Sequence, residues 1–293
     1  MSVTVRRLHP LFAAEIRGVD LGATLDEATF GEIHAAFTEH SVLVFPDQPL
    51  SDERQVAFSR RFGPLEQTTS SIARNDTVAR EIADLSNVDA EGRMIPADDR
   101  RMLYHSGNQL WHSDSSFKPV PALASLLSAR EVPPEGGETE FASLRAGWAA
   151  LPEPTRRRLE DLVAVHHFAY SRGLIAPGLL TTEQDAALPP VRQALVRVDP
   201  VNGRKALYLG SHASHIEGMP VEEGRALLRD LLAFATQPEF VYRHTWRVGD
   251  LVMWDNRAVL HRGRPWDARR YRRVMHRTTV AGEGPTVAAA VSA

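Results

Sequence analysis

Apolar positions recur at helical spacing in three stretches. Over residues 26–39, Phe30, Ile33, Ala36 and Phe37 fall on one face behind Asp26, whose short carboxylate suits an N-cap. Ser51 opens a second helix with Asp52 and Glu53 in its first turn, where the helix dipole favours acids. Val56, Phe58 and Phe62 follow before Gly63-Pro64 stops it. The strongest pattern starts at Pro220, carries Glu222 and Glu223 early, and places Leu227, Leu228, Leu231 and Leu232 on one side. A further helical stretch over about 143–163 is interrupted at Pro152 and Pro154.

Strand patterns lie between these helices. Ser41-Val42-Leu43-Val44-Phe45 is short, β-branched and ended by Pro46-Asp47. Residues 195–199 and 204–209 flank Asn202-Gly203, a hairpin turn. Residues 239–246 alternate, with Phe240, Tyr242, His244 and Trp246 on one face. Residues 250–254 run into Asp255-Asn256 and then Ala258-Val259-Leu260-His261, which reads as another hairpin. With no regular alternation of strand and helix, the pattern predicts a mainly β protein with flanking helices, a sandwich or jelly roll. Residues 66–107 and 170–193 read as irregular, and loops this long in a compact domain tend to be lids or binding loops. No repeat or linker divides the chain. The expectation is one catalytic domain over 1–282 and a flexible tail over 283–293.

Composition removes several classes of function. Thirty-four basic against 37 acidic residues leave a formal charge of −3, giving no reason to expect nucleic acid or an anionic membrane as partner. The absence of cysteine excludes disulfides, thiolate zinc sites, iron–sulfur clusters and cysteine nucleophiles. No window approaches the roughly 18 apolar residues of a membrane span. The apolar run after Arg6-Arg7 is broken by His9, Pro10 and Glu15, so it makes a poor signal peptide. A cytoplasmic protein is expected.

Any transition metal must therefore be held by nitrogen and oxygen, and twelve histidines make one worth seeking. In an extended segment His112 and Asp114 of His112-Ser113-Asp114 face the same way and can reach one ion. The spacing alone is weak. Twelve histidines and 37 acids give about one and a half such matches by chance, and the chain has two, the other being His215-Ile216-Glu217. A hydrogen-bonded structural pair explains His112 and Asp114 equally well. The distant His261 strengthens the case, since it closes an apolar strand where a lone imidazole needs a polar partner. Two histidines and one carboxylate on one face of an ion leave open positions opposite, the arrangement of non-haem Fe(II) oxygenases. Beyond His261 comes Arg269-Arg270-Tyr271-Arg272-Arg273-Val274-Met275-His276-Arg277. An arginine there could hold an organic acid bidentately, although Arg269 and Arg270 fit a solvated edge better.

Several segments are not generic: Leu8-His9-Pro10-Leu11-Phe12-Ala13-Ala14, Phe62-Gly63-Pro64-Leu65-Glu66, and Asn108-Gln109-Leu110-Trp111-His112-Ser113-Asp114-Ser115-Ser116-Phe117. So are Gly136-Gly137-Glu138-Thr139, Gly210-Ser211-His212-Ala213-Ser214-His215 and Gly249-Asp250-Leu251-Val252-Met253-Trp254-Asp255-Asn256. Over nearly its whole length the chain resembles the Fe(II)/2-oxoglutarate-dependent dioxygenases of the taurine dioxygenase superfamily. Within that group it is most similar to the aryloxyalkanoate dioxygenases that act on 2,4-dichlorophenoxyacetate.

The resemblance implies a double-stranded β-helix jelly roll and iron held by His112, Asp114 and His261. It implies that Thr139 and Arg273 bind the cosubstrate 2-oxoglutarate. Arg272 competes with Arg273, because the interval from His261 is one residue longer than the family pattern. Arg277 is implied to meet the acidic group of the substrate. Asn108 and His212 are expected in the same pocket, and Trp111 and Trp254 behind the ligands. The implied reaction consumes O2, releases succinate and CO2, and hydroxylates a small carboxylate substrate such as an aryloxyacetate, which collapses to a phenol and glyoxylate. A taurine, alkylsulfonate or other small-acid dioxygenase is the alternative within the superfamily, and a non-catalytic cupin-like binding protein the alternative outside it. Proteins of this kind tend to be homo-oligomers, and the same is expected here.

Overall fold

Each central strand carries apolar side chains on both faces, and this alternation organises the molecule. In the strand Val42–Phe45, Leu43 and Phe45 pack under the N-terminal helices while Val42 and Val44 pack into a second apolar layer. Leu251 and Met253 against Val252 and Trp254 repeat the division, as do Leu126 against Leu127. A strand buried on both faces needs a layer on each side. One layer is the helix pair Glu27–His40 and Asp52–Ser59, capped at Asp26 and Ser51 as the sequence predicts. The other is a second sheet. The computed structural model describes residues 3–67 and 78–287.

The major sheet has seven strands, ordered Thr4–Arg7, Ala14–Arg17, Val42–Phe45, Leu251–Asp255, Ala124–Glu131, Val274–Val280 and Ala83–Asp84. Its pairings are antiparallel except the parallel one between Ala14–Arg17 and Val42–Phe45. Facing it is a three-stranded sheet with Thr139–Ser143 between Val241–His244 and Val259–Gly263. Phe141 and Val259 point into the layer between the sheets, while Ala142 and Leu260 point outward. On that outer side the helices Leu144–Ala150 and Val221–Ala235 cover a third apolar cluster. The sheets are those of a jelly roll, and they do not close into a barrel.

Three sequence expectations need correction. Residues 250–261 do not form a hairpin. Both edges of Leu251–Asp255 are taken by Val42–Phe45 and Ala124–Glu131, so the chain turns a corner at Asp255 and Val259–Gly263 joins the opposite sheet. The buried Asp255 fixes that corner by accepting from Arg257 and Arg145. The stretches read as irregular contain short elements. Helix Arg100–Ser106 and strand Ala83–Asp84 lie in the first, with residues 68–77 outside the described residues. The second holds most of helix Phe168–Gly173, helix Thr182–Ala186 and strand Val191–Ala194. Finally, Thr286 accepts from the Ala194 N–H and donates to Gln193, so the start of the expected tail is tied down. Residues 288–293 lie outside the described residues. The hairpin around Asn202-Gly203 pairs Val196–Val198 with Lys205–Leu207 as expected. Among the described residues no helix is long and apolar enough to cross a membrane.

Candidate active site

The layer between the sheets opens at one end, and there the apolar alternation gives way to polar side chains. Val259 points inward, so His261, two residues on, does too. Met275 points inward, and Arg277 and Thr279 share its face. Phe141 and Thr139 are related in the same way. Three strands thus deliver three chemical groups to one cavity.

His112 reaches that cavity by pairing with His261. The two backbones exchange hydrogen bonds, His112 N–H to His261 O at 3.1 Å and His261 N–H to His112 O at 2.9 Å. Ser113 points away and donates to the Val259 carbonyl, which leaves Asp114 on the same side as His112. The ligand atoms of His112, Asp114 and His261 all lie within 4.8 Å of one another, and all three side chains are buried. His112 Nδ1–H donates to the Leu110 carbonyl at 2.7 Å, so its Nε2 lone pair faces the carboxylate, 4.0 Å away. His261 Nε2 is 3.7 Å from the other carboxylate oxygen. Burial pushes both imidazoles below their ordinary pKa and keeps them neutral. Burial alone would raise the Asp114 carboxyl, but the Arg277 guanidinium, with the Ser125 hydrogen bond, holds it well below the usual carboxylate range. Two neutral imidazoles and a carboxylate are a donor set that fits Fe(II).

Sequence reasoning missed the groups that orient Asp114. Ser125 donates to its carboxylate at 2.7 Å, and Asn256 accepts from its backbone N–H at 3.1 Å. Asn256 is itself aimed by Trp254, whose indole N–H donates to it at 3.1 Å, and it donates to Ser125 at 2.9 Å. The word Trp254-Asp255-Asn256 was visible, but its side-chain roles follow only from the corner between the sheets.

Two lobes meet at this centre. The smaller, about 130 Å³, is lined by Thr139, His261, Trp266 and Arg273. Thr139 accepts from the Trp246 indole N–H at 3.0 Å, so its own O–H remains free to donate into the lobe. Arg273 is buried, and burial lowers its pKa to about 10, leaving it cationic at neutral pH. Its Nε has no hydrogen-bond partner among the described residues. The Gly136-Gly137 turn makes room for it: both glycines have positive φ, and a Cβ on Gly137 would come within 3.3 Å of Arg273 Nε. Arg272 instead lies at the surface, bonded to Glu131 and the Gly92 carbonyl.

The larger lobe, about 510 Å³, is lined by His112, Asp114, Phe117, Phe168, His212 and Arg277 among others. Arg277 Nη1 is 2.5 Å from Asp114. Asn108 and His105 border both lobes. His212 packs edge-on to His112 at 6.3 Å between ring centroids and against Phe117 at 4.9 Å. His215 does not join it: that ring pairs with Ser214, and Glu217 pairs with Arg192. His276 binds Asp52 on the helix side of the sheet. Trp254 lies 4.6 Å from the His261 ring, and Trp111 packs under Arg262.

Comparison with known proteins agrees with this geometry. The chain is 49% identical over 282 residues to an alpha-ketoglutarate-dependent 2,4-dichlorophenoxyacetate dioxygenase of Cupriavidus pinatubonensis (strain JMP 134), covering 96% of this chain and 98% of that one. It is 40% identical to an (S)-phenoxypropionate/alpha-ketoglutarate-dioxygenase of Sphingobium herbicidovorans, over 94% of each chain. The crystal structure of AAD-2 in complex with Mn(II) and N-oxalylglycine superposes with a TM-score of 0.91 at 46% identity, covering 99% of this chain and all of that one. The model of the taurine catabolism dioxygenase TauD, TfdA family matches residues 4–279, and the chain belongs to that family.

Proposed function

We propose that this protein, a 2-oxoglutarate-dependent non-haem iron dioxygenase, hydroxylates an aryloxyacetate at the carbon beside the ether oxygen. The observation that carries the reading is the His112, Asp114 and His261 cluster at the junction of two lobes, with Arg273 in the smaller lobe alone and Arg277 beside Asp114 where the two meet. His112, Asp114 and His261 would hold the iron. When bound, iron with 2-oxoglutarate and O2 supplies the oxidant, one oxygen atom leaving in succinate alongside CO2 and the other entering the substrate C–H bond. The hydroxylated carbon is a hemiacetal, and its collapse yields a phenol and glyoxylate.

The chain's own groups bind and aim. Thr139 O–H and the Arg273 guanidinium suit the two carboxylates of 2-oxoglutarate in the smaller lobe. Arg277 suits the substrate carboxylate beside the metal, with Asn108 and His212 as neighbouring walls. Phe117 and Phe168 offer apolar surface for an aryl ring. The segments 66–107 and 170–193 supply walls of the larger lobe through Tyr104, His105, Arg172, Gln184 and Leu188, which supports their role as its cover. Relatives named as acting on 2,4-dichlorophenoxyacetate are 49% and 45% identical, whereas an alkylsulfatase of Acinetobacter baylyi is 30% identical.

The test is aerobic turnover with Fe(II), 2-oxoglutarate and ascorbate against 2,4-dichlorophenoxyacetate, a 2-aryloxypropionate and taurine. Phenol formed in step with succinate is expected. Sulfite from taurine would move the protein to the sulfonate branch, and iron-dependent succinate uncoupled from the whole panel would discard the aryloxyacetate.

A further inference from the structure

The larger lobe contains an arginine to which the chemistry above gives no task. Arg172, on helix Phe168–Gly173, is only 7% exposed. Its Cζ lies 4.6 Å from the Phe168 ring centroid and 4.9 Å from that of Tyr104. A Cβ on Gly107 would fall 1.3 Å from Arg172 Nη1, so the guanidinium rests directly on the Gly107 backbone. The group is therefore held in a built position.

What that position lacks is an anion. Nη1 donates to the Tyr104 carbonyl at 3.4 Å, and Nε has no partner among the described residues. The other two cationic side chains lining the lobe have carboxylate partners, Arg277 in Asp114 and Lys118 in Glu66. A buried guanidinium whose donors are largely unused is costly unless a ligand completes it. Its planar fork fits a carboxylate bidentately, and flanking rings hold such a fork flat. A structural staple between the two helices would not require a charge, and a methionine would fill the space between the rings.

The position also separates Arg172 from the task given to Arg277. Arg277 touches Asp114 itself. Arg172 connects to the ligand His112 only through intervening rings, Phe168 stacked on His212 at 5.7 Å and His212 against His112 at 6.3 Å. A ring laid along Phe117 and Phe168, with its reacting carbon at the metal, would carry its far substituents toward Arg172.

We infer that Arg172 recognises a second anionic group, a ring carboxylate borne at the far end of the aryl substrate, so that the preferred substrate is a dianion. The inference rests on the aryloxyacetate reading and deepens it. Its test is isothermal titration of the full chain, loaded with Mn(II) and 2-oxoglutarate, with phenoxyacetate and 4-carboxyphenoxyacetate. The intact protein should bind the ring acid about 10-fold tighter, as expected for a charge-assisted bidentate contact that remains after desolvation. Arg172→Met should weaken the ring acid about 50-fold and tighten phenoxyacetate about 2-fold, because the lobe becomes more apolar. Arg172→Lys, which keeps the charge but not the fork, should retain part of the preference. The KM values for turnover with iron should move in the same directions.

No preference for the ring acid in the intact protein would overturn the inference, even if the methionine variant did not fold. Equal weakening of both acids in Arg172→Met would overturn it too, since Arg172 would then serve the one carboxylate the two share. Binding of phenoxyacetate alone would sink this inference and leave the aryloxyacetate reading standing. Binding of neither acid would end both.

Discussion

The two lobes of the cavity are built from different material. The smaller takes Thr139, His261 and Arg273 from sheet strands or the residue before one, with Trp246 and the Gly136-Gly137 turn braced against them. Thr139 lies on a central strand paired on both sides, and the edge strand that carries His261 is paired with it and bridged to His112. The larger lobe keeps His112, Asp114 and Arg277 at its floor, but its walls are short helices of seven, six and five residues. Such helices owe their stability to packing against neighbours and little to their own hydrogen bonds. On the proposed function, the half of the reaction common to all substrates falls to the strand-built lobe and substrate selection to the helix-walled one.

The largest effect should come from the carboxylate that joins the two imidazoles. Asp114→Ala removes a ligand and leaves Arg277 without its carboxylate, and succinate formation should fall at least about 1000-fold. Iron retained after dialysis, measured on the same variant, should fall with it; retention of full activity would remove Asp114 from the site. Next, Arg273→Leu should raise KM for 2-oxoglutarate about 100-fold while KM for the aryloxyacetate stays within about 3-fold. Arg272→Leu should move neither, since that side chain faces Glu131. Equal changes in both KM values for Arg273→Leu would mean the lobes are not separate sites. A smaller effect should follow Trp246→Phe, which frees the Thr139 hydroxyl to rotate away: KM for 2-oxoglutarate should rise about 5-fold with kcat little changed. A fall in kcat alone would show that Trp246 supports the sheet without aiming Thr139.

The same division explains what could be read from the sequence. His112 and Asp114 share a face by alternation along extended backbone and His261 closes an apolar strand, and such patterns are visible in a single chain, whereas Thr139, Arg273 and Arg277 were legible only through the family resemblance. The strands Val42–Phe45 and Leu251–Asp255 were legible instead as short apolar runs bounded by turn residues. Their partners were not, because a strand buried on both faces does not say which sheet the next one joins. That is why residues 250–261 read as a hairpin. The walls of the larger lobe were illegible for a different reason. Helices as short as Arg100–Ser106 or Thr182–Ala186 give one or two turns, too few to establish a period of 3.6. Their capping residues, Asp99 before the first and the capping box of Thr181 and Gln184 at the second, were the local signals that could have flagged them. Arg172 carried no sequence signal at all. Its importance lies in burial without an anionic partner, which is a property of the folded lobe.

An effect on stability, with none expected on catalysis, bears on whether the helix-walled side is also the acid-sensitive side. His166 ends the strand Val163–His166 and is fully buried, stacked on Tyr208 at 5.6 Å and bonded through Nδ1 to the Ser116 hydroxyl at 3.1 Å. Burial pushes its pKa down from the ordinary 6.5 to about 3. Between those values the unfolded chain binds a proton there that the folded chain does not, so stability must fall as pH drops through that window. One such proton contributes about 1.4 kcal/mol per pH unit. His166→Phe keeps the stack on Tyr208 and removes the proton. It should cost about 1 kcal/mol at neutral pH, where Ser116 loses its partner, yet show a shallower decline in acid. Urea unfolding at intervals of about one pH unit between about 4 and 7 reads both numbers. If the two proteins decline in parallel, the acid sensitivity lies elsewhere, and His166 is no more than a packed ring beside the turn that carries Asp114.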